Sequence, residues 1–243
     1  MLFYTHTHTH ILYKKPHPNS YCRLVICLHE DTHTLTIINY FIWILNSCCL
    51  LISQGYCGSC WAFSTTGAIE GQMFKRTGQL VSLSEQNLVD CSKPYGTYGC
   101  SGAWMANAYN YVVQNGLQST DTYPYTSVVR SVASITDYRF IPSGDEQALA
   151  DAVATIGPIT IAVDADHPSF MFYSSGIYEE PSCNPNNLSH AVLLVGYGSE
   201  GGQDYWIIKN SWGTAWGEGG YMRMIRNGSN TCGIASYALY PIL

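Results

Sequence analysis

Gln54-Gly-Tyr-Cys-Gly-Ser-Cys-Trp61 is the stretch of this sequence with the most specific chemistry. It places two cysteines three residues apart, directly before a segment, Cys60 to Arg76, whose apolar residues recur at helical spacing up to Gly78. The pattern therefore predicts a helix that begins at Cys60. Because the positive end of a helix dipole favours a thiolate, we expect a lowered pKa for Cys60, which makes this residue a candidate nucleophile.

The pair Cys57 and Cys60 has two other interpretations, since a C-x-x-C motif can bind zinc or carry out redox chemistry. The sequence contains no second ligand pair at metal spacing, and no thioredoxin-like βαβ pattern surrounds this one. We therefore expect neither a metal nor another cofactor.

A nucleophilic thiol needs a base, and downstream of Gln54 the chain offers only His167 and His190. His190 lies 130 residues after Cys60 beside an apolar segment, whereas His167 has the surroundings of a loop residue. Asn210 follows Cys60 by 150 residues and can accept a hydrogen bond from an imidazole. Alone, each of these residues would more often be structural; their joint spacing favours a set formed by Cys60, His190 and Asn210.

Four segments resemble the papain-like cysteine proteases, and within that family the cathepsin L branch. They are the stretch quoted above, Ser84-Glu-Gln-Asn-Leu-Val-Asp-Cys91, His190-Ala-Val-Leu-Leu-Val-Gly-Tyr-Gly198 and Lys209-Asn-Ser-Trp-Gly-Thr-Ala-Trp-Gly217. The resemblance covers Gln54 to Leu243 and implies a cysteine endopeptidase that hydrolyses peptide bonds through a thioester. It also implies that the Gln54 amide and the Cys60 backbone N–H form an oxyanion hole.

A substrate cleft follows from the same resemblance. Its expected residues are Gly102, Ala103, Trp104, Met105, Ala162, Leu188, Ala191 and Trp212, with Tyr237 at the base of the main specificity pocket. A tyrosine at the base predicts a shallow pocket that prefers medium aliphatic or small aromatic side chains over large basic ones. Because Ala103 replaces a usual glycine, we expect it to narrow the cleft or to strain a backbone that prefers positive φ.

The segment between Cys91 and Cys100 contains no histidine. The long His-bearing loop of the cathepsin B-like carboxydipeptidases is therefore absent, which favours an endopeptidase. Trp212 is expected to cover the hydrogen bond between His190 and Asn210.

Ten cysteines in 243 residues are typical of an oxidising compartment. The resemblance implies the disulfides Cys57–Cys100 and Cys183–Cys232 and a lysosomal or secreted protein. It leaves Cys91 unpaired, because residues 126–137, where relatives carry its partner, contain no cysteine. Two N-glycosylation sequons, Asn187-Leu-Ser189 and Asn227-Gly-Ser229, are compatible with such a location.

The predicted fold class is α+β, a papain-like two-lobe fold with the active-site cleft between the lobes. Residues 54–125 would form a helical left lobe with the nucleophile, and residues 126–243 a right lobe resembling a β-barrel with His190 and Asn210. Predicted helices cover 60–76 and 104–114, and predicted strands cover 159–163, 191–197, 205–209, 220–225 and 237–240. Two further helices are predicted from capping boxes: Ser82 to Glu85 opens one that runs through Asp90, and Ser143 to Glu146 opens one that ends at Gly157-Pro158.

Residues 1–53 match no part of the family. They contain a His-Thr repeat, Thr5 to His10, and an uncharged apolar run, Leu35 to Ile52, long enough to be a membrane-span candidate. A span there would press Gln54 against the lipid headgroups, so a membrane role is not expected. Our hypothesis is that residues 1–53 come from a mis-joined gene model.

The composition sets the expected partners. A net charge of −6, 47% hydrophobic residues and 12% charged residues indicate a globular protein without the basic character of a nucleic-acid binder. We expect a monomer with peptide or protein substrates and cystatin-like inhibitors. Two alternatives stay open: a non-catalytic relative that binds peptides or inhibitors, and a membrane-anchored structural protein based on the run at 35–52.

Overall fold

The computed structural model describes residues 10–14, 21–25, 53–123 and 133–243. The first two ranges are antiparallel strands, β1 (His10–Lys14) and β2 (Tyr21–Val25). The apolar run from Leu35 to Ile52 lies outside the described residues. Among the residues that are described, no helix has the length and apolar character needed to cross a bilayer.

Three helices pack together after Gln54: α1 (Cys60–Thr77), α2 (Glu85–Cys91) and α3 (Met105–Asn115). The predicted start of α1 at Cys60 is confirmed. Its end is fixed by Gly78, whose left-handed conformation lets its N–H donate to the carbonyl of Phe74. Short 3₁₀ turns at Lys93–Tyr95 and Gly99–Ser101 connect α2 to α3.

The two capping boxes read from the sequence begin at the wrong residue. The N-caps are Ser84 for α2 and Asp145 for α4 (Glu146–Thr155), and each side chain accepts a hydrogen bond from the backbone N–H three residues later. Ser82 and Ser143 instead form hydrogen bonds with partners far along the chain. Locally, Ser82 and Ser84 are equally good caps for α2, as are Ser143 and Asp145 for α4. Tertiary contacts therefore decided which residue of each pair is the N-cap.

A seven-stranded sheet forms the second half of the molecule. Its strands are β3 (Asp137–Phe140), β4 (Ile159–Val163), β5 (Ile177–Tyr178), β6 (His190–Glu200), β7 (Gln203–Lys209), β8 (Tyr221–Ile225) and β9 (Ala238–Ile242), in the order β3-β9-β4-β6-β7-β8-β5. All pairs are antiparallel except β5 with β8. The strands predicted from alternation are confirmed as elements; β3, β5 and the short helix α5 (Pro168–Met171) were missed because they are short and carry no clear period.

Two hydrophobic cores hold the fold. One lies between the sheet and α4 and contains Leu149, Val153, Ile161 and Trp206, all fully buried. The other lies among the helices around Trp61, Leu88, Met105 and Tyr109, and takes in Ala162 and Ala191 from the strands. A helical half and a β half that meet along α1, β4 and β6 make the α+β two-lobe architecture.

Candidate active site

A tight loop delivers Cys60 to the start of α1. The disulfide Cys57–Cys100 anchors this loop, and the N–H of Gly58 donates to the carbonyl of Cys100 at 2.8 Å. The contact leaves no room for a side chain, because a Cβ on Gly58 would lie 2.6 Å from that oxygen. Cys60 itself is a free, half-buried thiol.

His190 and Asn210 come together because β6 begins at His190 and β7 ends just before Asn210. The pairing of these antiparallel strands brings the two ends side by side, and His190 Nε2 lies 2.8 Å from Asn210 Oδ1. Both residues are buried.

The tautomer of His190 follows from a second hydrogen bond to the same oxygen. The backbone N–H of Ser211 also donates to Asn210 Oδ1, at 2.7 Å, which identifies this atom as the carbonyl end of the amide. Nε2 of His190 must then be the donor. In the neutral ring this leaves Nδ1 as the acceptor, free to take a proton from a neighbouring group.

Burial dominates the electrostatics of both reactive groups. It lowers the pKa of His190 to about 4, against the opposing effects of the Asn210 hydrogen bond and the charge of Asp166. It raises the pKa of Cys60, although backbone N–H groups of Ala191, Trp61 and Cys60 itself lower that pKa in part. The N–H groups at the helix start lower the pKa of Cys60, as expected, but desolvation outweighs them and the net shift of this pKa is upward.

A transfer of the Cys60 proton to His190 creates one charge of each sign and leaves the net charge of the pair unchanged. Both residues line one cleft, and the backbone N–H of Ala191, the residue after His190, favours the charged form of the Cys60 sulfur. The arrangement can thus supply a thiolate when a neutral imidazole takes up the proton.

Gln54 is held by Ser211 at the edge of this site. Its backbone N–H donates to the Ser211 carbonyl at 2.8 Å, and its Oε1 accepts from the Ser211 hydroxyl at 2.6 Å. One N–H of Nε2 donates to the carbonyl of Cys57 at 3.0 Å, which leaves the second available. The sequence analysis gave Ser211 no role. Its position directly after Asn210 is the feature that could have identified it.

Trp212 covers one face of His190. The two ring centroids are 4.8 Å apart, and Trp212 packs edge-on against both Phe170 and Trp216. The indole N–H of Trp216 donates to the carbonyl of Phe170 at 3.2 Å, which ties this aromatic cluster to α5. The cluster restricts the ring orientation of His190.

A cleft of about 410 Å³ runs past Cys60 and His190. Seven of the residues expected in the substrate cleft line it: Gly102, Ala103, Trp104, Met105, Ala162, Leu188 and Ala191. Tyr237, expected at the base of the pocket, is not among the residues that line this cleft; its ring packs against that of Trp104, with centroids 4.7 Å apart. Trp212, as described, packs on His190.

The expected backbone strain at Ala103 is wrong. Among the described residues other than glycine, only Asn230 and Cys232 have positive φ. The positive φ is taken by the preceding residue, Gly102, at 104°. Ala103 therefore acts on the cleft only through its methyl group.

The second expected disulfide, Cys183–Cys232, is also present. Cys91 is free, and its sulfur lies 3.7 Å from the hydroxyl of Tyr123. Relatives carry the disulfide partner of Cys91 in the segment that corresponds to residues 126–137. Of this segment, residues 126–132 lie outside the described residues.

One group of side chains has the spacing of a metal site: Asp164, His167 and Cys183 offer ligand atoms within 4.8 Å of one another. The Cys183 sulfur, however, is bonded to Cys232 and provides no thiolate. Asp164 and His167 are already paired with each other at 3.0 Å. This donor set does not fit a metal ion while the disulfide is present.

Comparison with known proteins finds one matching family and many similar sequences. The family model for papain family cysteine proteases matches residues 48–242, so the expected start of the family sequence at Gln54 is six residues too late and residues 48–53 belong to the match. Digestive cysteine proteinase 2 of Homarus americanus is 55% identical over 199 residues, which cover 78% of this chain and 62% of that protein. Cathepsin L1 of Drosophila melanogaster is 54% identical over 200 residues, which cover 78% of this chain and 54% of that protein.

A solved structure, digestive procathepsin L 3 of the Tenebrio molitor larval midgut, matches with a TM-score of 0.78 and 49% sequence identity. The match covers 84% of this chain and 69% of that one. For the two curated relatives, digestive cysteine proteinase 2 and cathepsin L1, this chain spans less than two thirds of their length. Sequence motifs, fold and site geometry lead to one conclusion: this chain belongs to the papain family of cysteine proteases.

Proposed function

We propose that this chain is the catalytic core of a cathepsin L-like cysteine endopeptidase. The observation that carries the proposal is the hydrogen-bonded pair of His190 and Asn210 in the same cleft as the free thiol of Cys60 at the start of α1. A nucleophile, a base and a residue that orients the base are the parts that covalent acyl transfer requires.

In the first half of the reaction, Nδ1 of His190 takes the proton of Cys60 as the sulfur attacks the peptide carbonyl carbon. The oxyanion of the tetrahedral intermediate would receive hydrogen bonds from the free N–H of Gln54 Nε2 and from the backbone N–H of Cys60. The carbon–nitrogen bond then breaks, His190 returns its proton to the leaving amine, and a thioester remains on Cys60.

In the second half, a water molecule loses a proton to His190 and attacks the thioester carbon. The carbon–sulfur bond breaks, the carboxylic acid product leaves, and the proton returns from His190 to the Cys60 sulfur. Asn210 holds the imidazole through Nε2 in both halves, so that Nδ1 keeps facing the reacting atoms.

The specificity pocket of this enzyme would be apolar and of moderate size. The cleft walls include Met105, Ala162, Leu188 and Ala191, and they favour medium aliphatic side chains one residue upstream of the scissile position. The 3₁₀ turns between Cys91 and Cys100 contain no histidine, in line with an endopeptidase.

The proposal extends to the surroundings of the enzyme. Its partners would be peptide or protein substrates and cystatin-like inhibitors, which would bind in the cleft. We also propose that the enzyme is a monomer. The two disulfides support a lysosomal or secreted location. We also propose the lobe division at residues 54–125 and 126–243, which is supported by one core built only from residues of the second segment and a second core built mainly from residues of the first.

An activity-based probe tests the proposal. An epoxide or vinyl-sulfone peptide should label the chain at Cys60, and Cys60→Ala should abolish the label while Cys91→Ala, which removes the other free thiol of the described residues, should retain it. A folded protein that cleaves no peptide and takes no label would instead favour a non-catalytic peptide-binding relative.

A peptide library tests the specificity. Cleavage should be led by leucine or valine one residue upstream of the scissile position. A profile led by arginine would contradict the proposed pocket.

A further inference from the structure

We propose that Asn227 is an N-glycosylation site of the folded protein and that Asn187 stays unmodified. Both residues stand in sequons, and the structure separates the two by what surrounds each side chain. The two disulfides, which need an oxidising compartment, support passage through the secretory route where this modification is made.

The sequon at Asn227 lies on an open loop after β8. Asn227, Gly228 and Ser229 are all exposed. The side-chain carbonyl of Asn227 accepts hydrogen bonds from the Ser229 N–H at 3.0 Å and from the Thr231 hydroxyl at 3.3 Å. These contacts use only the oxygen of the amide, so a sugar on the nitrogen would leave them in place.

At the other sequon Asn187 and Ser189 are exposed as well, but their side chains are hydrogen-bonded to the fold. Nδ2 of Asn187 lies 3.4 Å from a carboxylate oxygen of Asp164 and 3.4 Å from one of Asp166. The hydroxyl of the third sequon residue, Ser189, accepts a hydrogen bond from the N–H of Ala165. A sugar on Nδ2 replaces one of its two hydrogens, so a modified Asn187 could no longer serve both carboxylates.

Position relative to the cleft points the same way. The N–H of Arg226, the neighbour of Asn227, donates to the carbonyl of Asp204 near the beginning of β7, whereas Asn210 follows the end of that strand. Lys209 lies five residues after Asp204 along the strand, which is about 17 Å at the usual rise per residue. A glycan on Asn227 would therefore project away from His190, while one on Asn187 would stand beside Leu188 in the cleft wall.

The transfer itself needs a donor of defined class, a polyprenyl pyrophosphate-linked oligosaccharide. Nδ2 of Asn227 forms a bond to the anomeric carbon and loses one proton, and the pyrophosphate leaves as the anomeric carbon–oxygen bond breaks. The reaction joins a neutral amide to a sugar and changes no charge on the protein.

Mass spectrometry tests the assignment on the full chain, carried into the secretory pathway of a eukaryotic host behind an added leader. The Cys60→Ala variant avoids self-cleavage. Treatment with peptide-N-glycosidase in ¹⁸O water before trypsin should convert Asn227, but not Asn187, to ¹⁸O-labelled aspartate. The isotope separates deglycosylation from spontaneous deamidation of the Asn227-Gly228 pair, which would occur in ¹⁶O water before the treatment.

Variants provide the second readout. Asn227→Gln and Ser229→Ala should each remove the glycosidase-sensitive mobility shift, whereas Asn187→Gln should keep it. A shift that depends on Asn187, or a chain inside the secretory pathway that carries no ¹⁸O label at Asn227, would overturn the proposal. Neither outcome depends on whether the chain is an active protease.

Discussion

At the residue scale, the site depends on side chains that hold the reacting groups in place without touching the substrate. Asn210 Oδ1 accepts a hydrogen bond from His190. Ser211 contacts both Asn210 and Gln54, since its N–H donates to the Asn210 side chain and its hydroxyl donates to the Gln54 side chain. Two backbone contacts and one hydroxyl of a single residue thus connect the base with the proposed oxyanion hole.

Ser211→Ala tests this positioning role. Loss of the hydroxyl frees Gln54 Oε1, and we expect kcat to fall about fivefold, equivalent to one hydrogen bond of roughly 1 kcal/mol, with little change in KM. Gln54→Ala should lower kcat by about 10²-fold, the usual effect of one oxyanion donor. In the Gln54→Ala background, Ser211→Ala should have almost no further effect; additive losses would show that Ser211 acts in another way.

The buried His190 predicts a pH dependence of stability. Because its folded-state pKa of about 4 is below its ordinary value of 6.5, the unfolded chain binds the extra proton first as the pH falls. Stability should therefore decrease from about pH 6.5 down to about pH 4, by about 3 kcal/mol for this group, and be unaffected by it above pH 7.

Urea unfolding of Cys60→Ser, with and without His190→Gln, measures this contribution. The serine removes both self-cleavage and any thiolate. The loss of unfolding free energy between pH 7 and pH 4 should be about 3 kcal/mol larger when His190 is present. Equal losses in both proteins would mean that His190 titrates normally in the fold.

At the element scale, the position of α1 matters most, because its first residue is the proposed nucleophile. The helix start is held from outside by the Cys57–Cys100 disulfide, by the contact of Gly58 with Cys100, and by the fully buried Trp61, whose indole N–H donates to the carbonyl of Gly99. The loop before the helix is therefore bound to the 3₁₀ turn that ends at Ser101.

Gly58→Ala tests the close approach in that loop. The added Cβ would meet a backbone oxygen at 2.6 Å, and neither partner is a flexible side chain, so we expect a loss of about 3 kcal/mol in unfolding free energy and a lower kcat. Gly78→Ala at the other end of α1 is the matched control, since its Cβ meets nothing within 4 Å and only its positive φ costs about 1 kcal/mol. Equal stability losses with unchanged kcat in both variants would contradict the argument.

At the scale of the whole molecule, buried polar contacts join the helices to the sheet. The hydroxyl of Ser64 donates to the carbonyl of Val192 at 2.6 Å, and Thr160 Oγ1 donates to the carbonyl of Ser64 at 3.2 Å. Because the only hydroxyl proton of Thr160 is donated to the Ser64 carbonyl, Thr160 Oγ1 must be the acceptor in its contact with Tyr109. The hydroxyl of Tyr109, 2.6 Å from Thr160 Oγ1, is therefore the donor. The chain Tyr109–Thr160–Ser64 is fully buried and links α3, β4 and α1.

A double-mutant cycle tests this junction. Tyr109→Phe removes only the terminal donor and should cost about 1 kcal/mol of unfolding free energy, whereas Thr160→Val leaves a buried hydroxyl without its acceptor and should cost about 2 to 3 kcal/mol. The double variant should lose less than the sum, because the unsatisfied hydroxyl is gone. Strict additivity in urea unfolding would exclude a coupled chain.

How far the sequence predicts this protein differs between local and distant features. The start of α1 at Cys60, the strand at 159–163 and the end of α3 before Gly116 follow from apolar spacing and from glycines within a few residues, and the structure has all three. Both disulfides were implied by the family resemblance. Such features depend on neighbours in the chain or on a motif that can be read residue by residue.

The tertiary structure alone decided the features that depend on distant contacts. It selected Ser84 over Ser82 as a cap, packed Tyr237 against Trp104, and joined Gln54 to Ser211, 157 residues away. It also decided the opposite pKa shifts of Cys60 and His190, since desolvation depends on how completely other parts of the chain cover a group. The sequence by itself thus determined which groups are candidates for the chemistry, and the packing of segments more than one hundred residues apart decided their electrostatics and orientation.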